Sequence, residues 1–176
     1  FEIDKVMAEG VIVAEGGKLT ADIPIRPAPA YVLNSIKLPK PMMANDFEVK
    51  TAKGVKKVSA AVLHPFYYSV DLPPIKRELL VKGGLVQRDL ANEVNKVAIV
   101  RRDGGGIGIS FWELGYQHGA VAMSVLHDTH NISVVGATDS DMAAAVNRVA
   151  EIGGGIVVVR DGVVKAEVAL PIAGLM

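Results

Sequence analysis

The chain has 176 residues, enough for one full domain or for one domain and part of another. Half of the residues are hydrophobic and only 5% are aromatic, so a large aliphatic core is expected. Nineteen basic and nineteen acidic side chains give a formal net charge of zero, which argues against a general electrostatic surface for nucleic acid or anionic lipid.

The absence of cysteine excludes a disulfide framework and a thiolate zinc site, and it favours a cytoplasmic location. The longest uncharged run, residues 114–127, is too short and too polar to span a bilayer, so no membrane association is expected. The first residues, F-E-I-D-K-V, do not form a signal peptide and lack an initiator methionine. We therefore expect that a preceding segment has been removed.

Residues 1–22 are predicted to form a hairpin, because short apolar stretches flank Gly10 and precede Gly16. Residues 23–45 are rich in proline, which fixes φ and removes a backbone donor. This segment is therefore predicted to be an extended connector and a domain boundary. Residues 46–176 then make up the second domain.

The middle of the chain offers several strands. F-E-V-K-T-A, from Phe47, alternates as a strand does, and V-S-A-A-V-L-H gives another strand that ends at Pro65. A hairpin is predicted around Gly83, and the β-branched run of residues 95–102 indicates a buried strand. The glycine-rich stretch 104–108 is predicted to be a loop. It lacks the lysine and hydroxyl of a P-loop and the spacing of the dinucleotide fingerprint, so it does not support a nucleotide site.

The last third has the clearest pattern. A strand at 132–137 is followed by Thr138 as a helix cap and by apolar residues at helical spacing, until the glycines at 153–155 stop the helix. Asp161-Gly162 then predicts the turn of a final hairpin. The predicted fold class is α+β, a mixed and largely antiparallel sheet with helices packed on one face, preceded by the hairpin of residues 1–22.

The main candidate site is the stretch H-D-T-H-N, which contains two of the four histidines in the chain. His127 and His130 would share a face on a helix and chelate a metal, whereas on a strand they would point to opposite faces. Asp128 would orient an imidazole, and Asn131 is typical of a turn or a cap. Iron, manganese or zinc would suit such donors. The alternative is a hydrogen-bonded turn before a strand.

The other two histidines are assigned structural roles. His64 lies in an apolar run and is predicted to be a hydrogen-bonded core or edge residue. His118, beside Gly119, is predicted to lie at a helix end. Glu113 is predicted to be a surface charge. Neither histidine has a carboxylate next to it in the sequence, as acid–base chemistry would favour.

The chain resembles the carboxy-terminal part of bacterial and archaeal adenine deaminases, which belong to the amidohydrolase superfamily. The stretches that carry the resemblance are H-D-T-H-N (127–131), D-M-A-A-A-V-N (141–147), G-G-G (153–155) and L-P-I-A-G-L (170–175). G-Y-Q-H-G-A-V-A (115–122) is also similar to a family motif. Two departures affect charge, because Arg101 and Asp103 stand where the family commonly has Glu and His.

The resemblance implies hydrolysis of adenine to hypoxanthine and ammonia, in purine salvage, by a hydroxide activated by manganese or iron in a (β/α) barrel. This chain has no H-x-H pair, so the resemblance places it downstream of the barrel. The catalytic residues are then unknown, and the chain alone is expected to be inactive. It also makes residues 1–22 the end of a small β domain. The implied partners are the upstream barrel domain, adenine and a second copy in a homo-oligomer. The alternative is a stand-alone accessory or assembly module without purine chemistry.

Overall fold

A computed structural model describes residues 2–22, 24, 26–33, 35–64 and 74–176. The one α-helix of this part of the chain, α1, is Asp139–Glu151, and short 3-10 turns lie at Ala44–Phe47 and Leu90–Asn92. The strands are β1 (Lys5–Ala8), β2 (Val11–Glu15), β3 (Lys18–Leu19), β4 (Lys57–Leu63), β5 (Ile75–Lys82), β6 (Leu85–Val86), β7 (Val94–Val100), β8 (Ile107–Glu113), β9 (Ala120–Met123), β10 (Ile132–Gly136), β11 (Gly155–Arg160) and β12 (Val163–Ala169).

Strands β1 to β3 form a small antiparallel sheet, so the predicted hairpin is confirmed and a third, two-residue strand is added. Its apolar side chains, which include Val6, Met7, Val11 and Leu19, are exposed. A sheet of this size normally needs one covered apolar face to be stable by itself. The division of the chain at residues 22 and 45 stays a prediction.

The other nine strands form one sheet in the order β12-β11-β9-β10-β7-β8-β4-β5-β6. Its pairs are antiparallel except for β4 and β8, which run parallel with Val62 opposite Phe111. The predicted α+β class with a mixed, largely antiparallel sheet is therefore confirmed. Only one helix, however, packs on the sheet among the described residues.

Helix α1 covers β9, β10 and β11 with the apolar stripe that its sequence predicts. Met142, Val146 and Val149 are fully buried there. Thr138 caps the helix, since its Oγ1 accepts a hydrogen bond from Asp141 N at 3.2 Å. Gly153 ends it in the left-handed region at φ +78°. The core continues beside the helix with the buried side chains of Ile36, Met42 and Phe47.

Two predictions about the middle of the chain are wrong. The strand predicted from Phe47 is instead the end of a 3-10 turn, which the Asp46 carboxylate stabilises by accepting from Met43 N at 2.7 Å. After it only a single bridge joins Lys50 to Leu85. Gly108 lies inside β8 and not in a loop, because pairing with β7 extends the strand over the glycine. Strand β4 ends at Leu63, and Pro65, where the sequence predicted the end, lies outside the described residues.

No helix within the described ranges is long and apolar enough to cross a membrane.

Candidate functional site

The H-D-T-H-N stretch forms a turn before β10. The side chains of His127 and Asp128 are 98% and 87% exposed, and His127 Nδ1 lies 2.9 Å from Asp128 Oδ1. His130 is exposed and has φ +51°. Asn131 secures the end of the turn, because its Oδ1 accepts a hydrogen bond from Arg102 N at 3.2 Å. Of the two interpretations left open by the sequence, this geometry is that of a hydrogen-bonded turn.

The turn does not fit a resident manganese or iron ion. One imidazole and one carboxylate converge, fewer than protein sites for these metals use. No group of three or more His, Asp or Glu side chains able to hold a metal occurs within the described residues. A role for His127, Asp128, His130 and Asn131 at the face of another domain stays a prediction.

Glu113 is not the predicted surface charge. Its side chain is only 11% exposed and accepts a hydrogen bond from Arg77 Nε at 2.6 Å. His64 Nε2 lies 3.6 Å from the other carboxylate oxygen, and the His64 side chain is half-buried. His118 is exposed on a bend between β8 and β9, so the predicted helix end is wrong. The flanking Gly115 and Gly119, both at positive φ, keep this connection irregular.

The glycines at 153–155 and the L-P-I-A-G-L turn meet at one end of the sheet. A Cβ on Gly154 would lie 2.3 Å from the Cα of Gly174, so the Gly174 backbone leaves no room for a side chain at Gly154. Ser124 joins them, since its Oγ donates to Gly174 O at 2.5 Å and accepts from Gly155 N at 2.8 Å. Two stretches singled out by sequence are thus one structural junction.

Arg102 extends this junction to the connector. Its Nη2 donates to Ser35 Oγ at 2.9 Å and to Ala173 O at 2.7 Å, and burial lowers the pKa of its guanidinium. The Nε atom is buried and finds no hydrogen-bond partner in the described part of the chain. Sequence analysis did not single out Arg102, because its partners are 67 and 71 residues away.

Two side chains of the D-M-A-A-A-V-N stretch also form hydrogen bonds with backbone groups. The buried Asp141 carboxylate accepts from Gly162 N at 2.8 Å and so fixes the turn between β11 and β12. Asn147 accepts from Met42 N at 2.7 Å and donates to Met42 O at 2.9 Å. These polar side chains act on the chain itself and leave no free group aimed at a ligand.

A buried charge cluster was missed by the sequence analysis. Lys96, only 2% exposed, donates from Nζ to Phe47 O at 2.6 Å and to Asp139 at 2.7 Å. Arg88 pairs with the same carboxylate. Burial lowers the pKa of Lys96, against the opposing effect of its hydrogen bond to Asp139. The signal was a lone lysine inside a buried strand, which requires a partner that the sequence does not identify.

The fold and these contacts define an α+β domain in which the motif residues serve as structural contacts. The family described as "Adenine deaminase C-terminal domain" matches residues 73–176. An adenine deaminase from Moorella thermoacetica is 41% identical over 99% of this chain and 30% of its own length. One from Mesorhizobium japonicum is 40% identical over 99% of this chain and 29% of its own length.

The chain belongs to the adenine deaminase C-terminal domain family, as its resemblance predicted. It spans about 30% of the length of the curated relatives it matches. Arg101 and Asp103 form a two-bond ion pair at 3.1 and 2.7 Å, which lowers the pKa of Asp103 to about 2.

Proposed function

We propose that this chain is the C-terminal domain of an adenine deaminase, which hydrolyses adenine to hypoxanthine and ammonia. The observation that carries the proposal is 41% identity with a protein of that name over 99% of the chain. In this proposal the manganese or iron and the catalytic residues belong to a preceding barrel domain. The enzyme acts in the cytoplasm, in purine salvage.

Within that enzyme we assign the domain a structural role. Asp141 and Asn147 are bonded to backbone groups of the chain itself, and Ser124 closes a junction of glycines. The exposed turn at His127 and His130 is the part of the family pattern that these contacts do not use. We infer that this turn faces the domain that carries the chemistry.

The test is hypoxanthine formation from adenine, with manganese or ferrous iron supplied, by this 176-residue chain and by the full-length protein of the same gene. We expect turnover by the full-length protein and none by the chain alone. Turnover that follows the isolated chain through purification would show that the site is complete without a barrel. A start codon directly before Phe1 in the gene would instead favour the stand-alone accessory module.

A further inference from the structure

Along the three neighbouring strands β9, β10 and β11, buried and partly exposed side chains alternate, but both kinds of position are mostly apolar. Their side chains toward α1 are buried, and the intervening ones are partly exposed. The partly exposed positions are nevertheless apolar in five cases of six. They are Val121, Met123, Ser133, Val135, Ile156 and Val158.

The strand registers join these side chains into two rows across β7, β10, β9, β11 and β12. One row is Val135, Val121, Val158 and Ala166, and it ends at β7 against Val97, which is buried. The other is Ile99, Ser133, Met123, Ile156 and Val168. We call these nine residues, without the buried Val97, the open face. They contain no charged group, and five strands span about 19 Å at the usual strand spacing.

The same side of the sheet is different over β4 and β5. There it carries Lys57, Ser59 and Glu78, with an ion pair of 3.1 Å between the lysine and the glutamate. Leu63 and Leu80 are also exposed on that side, but charged groups separate them, as on the outer face that an antiparallel sheet presents to water. Apolar residues on both sides, as in β9 to β11, are typical of strands that are buried on both faces.

Nothing in the described secondary structure covers the open face. Helix α1 packs against β9, β10 and β11 from the opposite side, through the fully buried Ala122, Val134 and Val157. The 3-10 turn at Ala44–Phe47 packs against α1 on that same side. A large uncharged patch of this kind marks an interaction surface.

We propose that the open face is the docking surface for the preceding part of the same polypeptide, an inference that rests on the proposed function. The matched portion is 30% of the length of the Moorella protein, so most of that protein lies outside it. A covalently attached partner acts at an effective concentration of roughly millimolar, well above that of a free second copy. The absence of charge on the open face fits an apolar surface that is never exposed in the full-length protein.

The test compares Val135→Glu with Ala61→Glu, each made in the 176-residue chain and in the full-length protein. Val135 lies within the open face, on β10, between Val97 and Val121 of the neighbouring strands. Ala61 is an exposed residue on the same side of the sheet but lies over β4. In the short chain we expect both variants to melt close to the parent, and Val135→Glu to reduce binding of an apolar dye.

In the full-length protein we expect only Val135→Glu to undock the domain, because burial of an unpaired carboxylate is strongly unfavourable in free energy. Proteolysis within residues 26–33 should then be roughly tenfold faster or more. Equal behaviour of the two variants in the full-length protein would overturn the proposal. So would a dimer of the short chain that Val135→Glu dissociates and that persists in the full-length protein. A full-length protein without deaminase activity that keeps the contrast would refute the proposed function and leave the docking surface standing.

Discussion

Asn147 connects two segments that are 105 residues apart in the sequence. Its carboxamide accepts from the N–H and donates to the C=O of Met42, so it satisfies both polar groups of one residue. Only a side chain with a donor and an acceptor in one plane does this, which neither aspartate nor leucine offers. The asparagine of the family motif is thus explained by backbone pairing.

We predict that Asn147→Leu lowers the free energy of unfolding by about 1–3 kcal/mol, because two partly buried backbone groups lose their partners. Urea denaturation measures the change. Asn92→Leu is the control, since the exposed Asn92 side chain bonds only to Asp89, three residues away, and should cost less. Equal losses in the two variants would contradict the role assigned to Asn147.

His127 and His130 call for a different experiment, since both are exposed. We predict that changing both to Asn leaves the melting temperature of this chain unchanged. In the full-length enzyme we expect lower kcat/KM or lower metal content if the turn faces the catalytic domain. His118→Asn, another exposed histidine, is the control. Unchanged kinetics and unchanged metal content in the double variant would remove the functional role.

At the scale of elements, the pairing of β11 with β12 depends on Gly155. A Cβ there would lie 2.0 Å from Val168 O, and φ is +145°. We predict that Gly155→Ala lowers the free energy of unfolding by about 2 kcal/mol or more. Gly108→Ala in β8 should change it by less than about 1 kcal/mol, because nothing lies within 4 Å of that position. Thermal or urea unfolding of the two variants gives the comparison.

The junction of α1 and β12 should be sensitive to acid. Arg148 donates to Glu167 at 2.6 and 2.7 Å and lowers the pKa of that carboxyl below its usual 4.5. A carboxyl with a lowered folded-state pKa adds stability above pH 4.5, and this contribution is lost as the pH falls through the folded-state value. Glu167→Gln should therefore lose less stability than the parent between pH 5 and 3. Equal losses of stability in the two proteins between pH 5 and 3 would contradict this prediction.

Considered as a whole, the molecule follows its sequence where signals are local. Thr138, the apolar stripe and Gly153 lie within a few residues of α1 and predicted it correctly. The sequence did not predict β8, because its partners, β7 and β4, are set by tertiary pairing. Phe47 also went into the core and not into a strand, since burial against α1 overrides a short alternating pattern.

The candidate site shows the same division. The sequence shows the composition of the 127–131 stretch. It does not show that the stretch forms an exposed turn or that it bonds to Arg102, 29 residues away. Asp139 lies in the first turn of α1, and its buried partner Lys96 lies 43 residues earlier in the sequence. The resemblance identified the family from motifs that include Asn147. The contact of Asn147 with a distant backbone segment was not visible in the sequence.

The bond between Met42 and Asn147 also has a consequence for synthesis. A ribosome adds about 5–20 residues per second, so Met42 is made about 5–20 s before Asn147. During that interval Ile36, Met42 and Phe47 have no helix to pack against. The nascent chain therefore carries an apolar segment without its native partner until α1 leaves the exit tunnel.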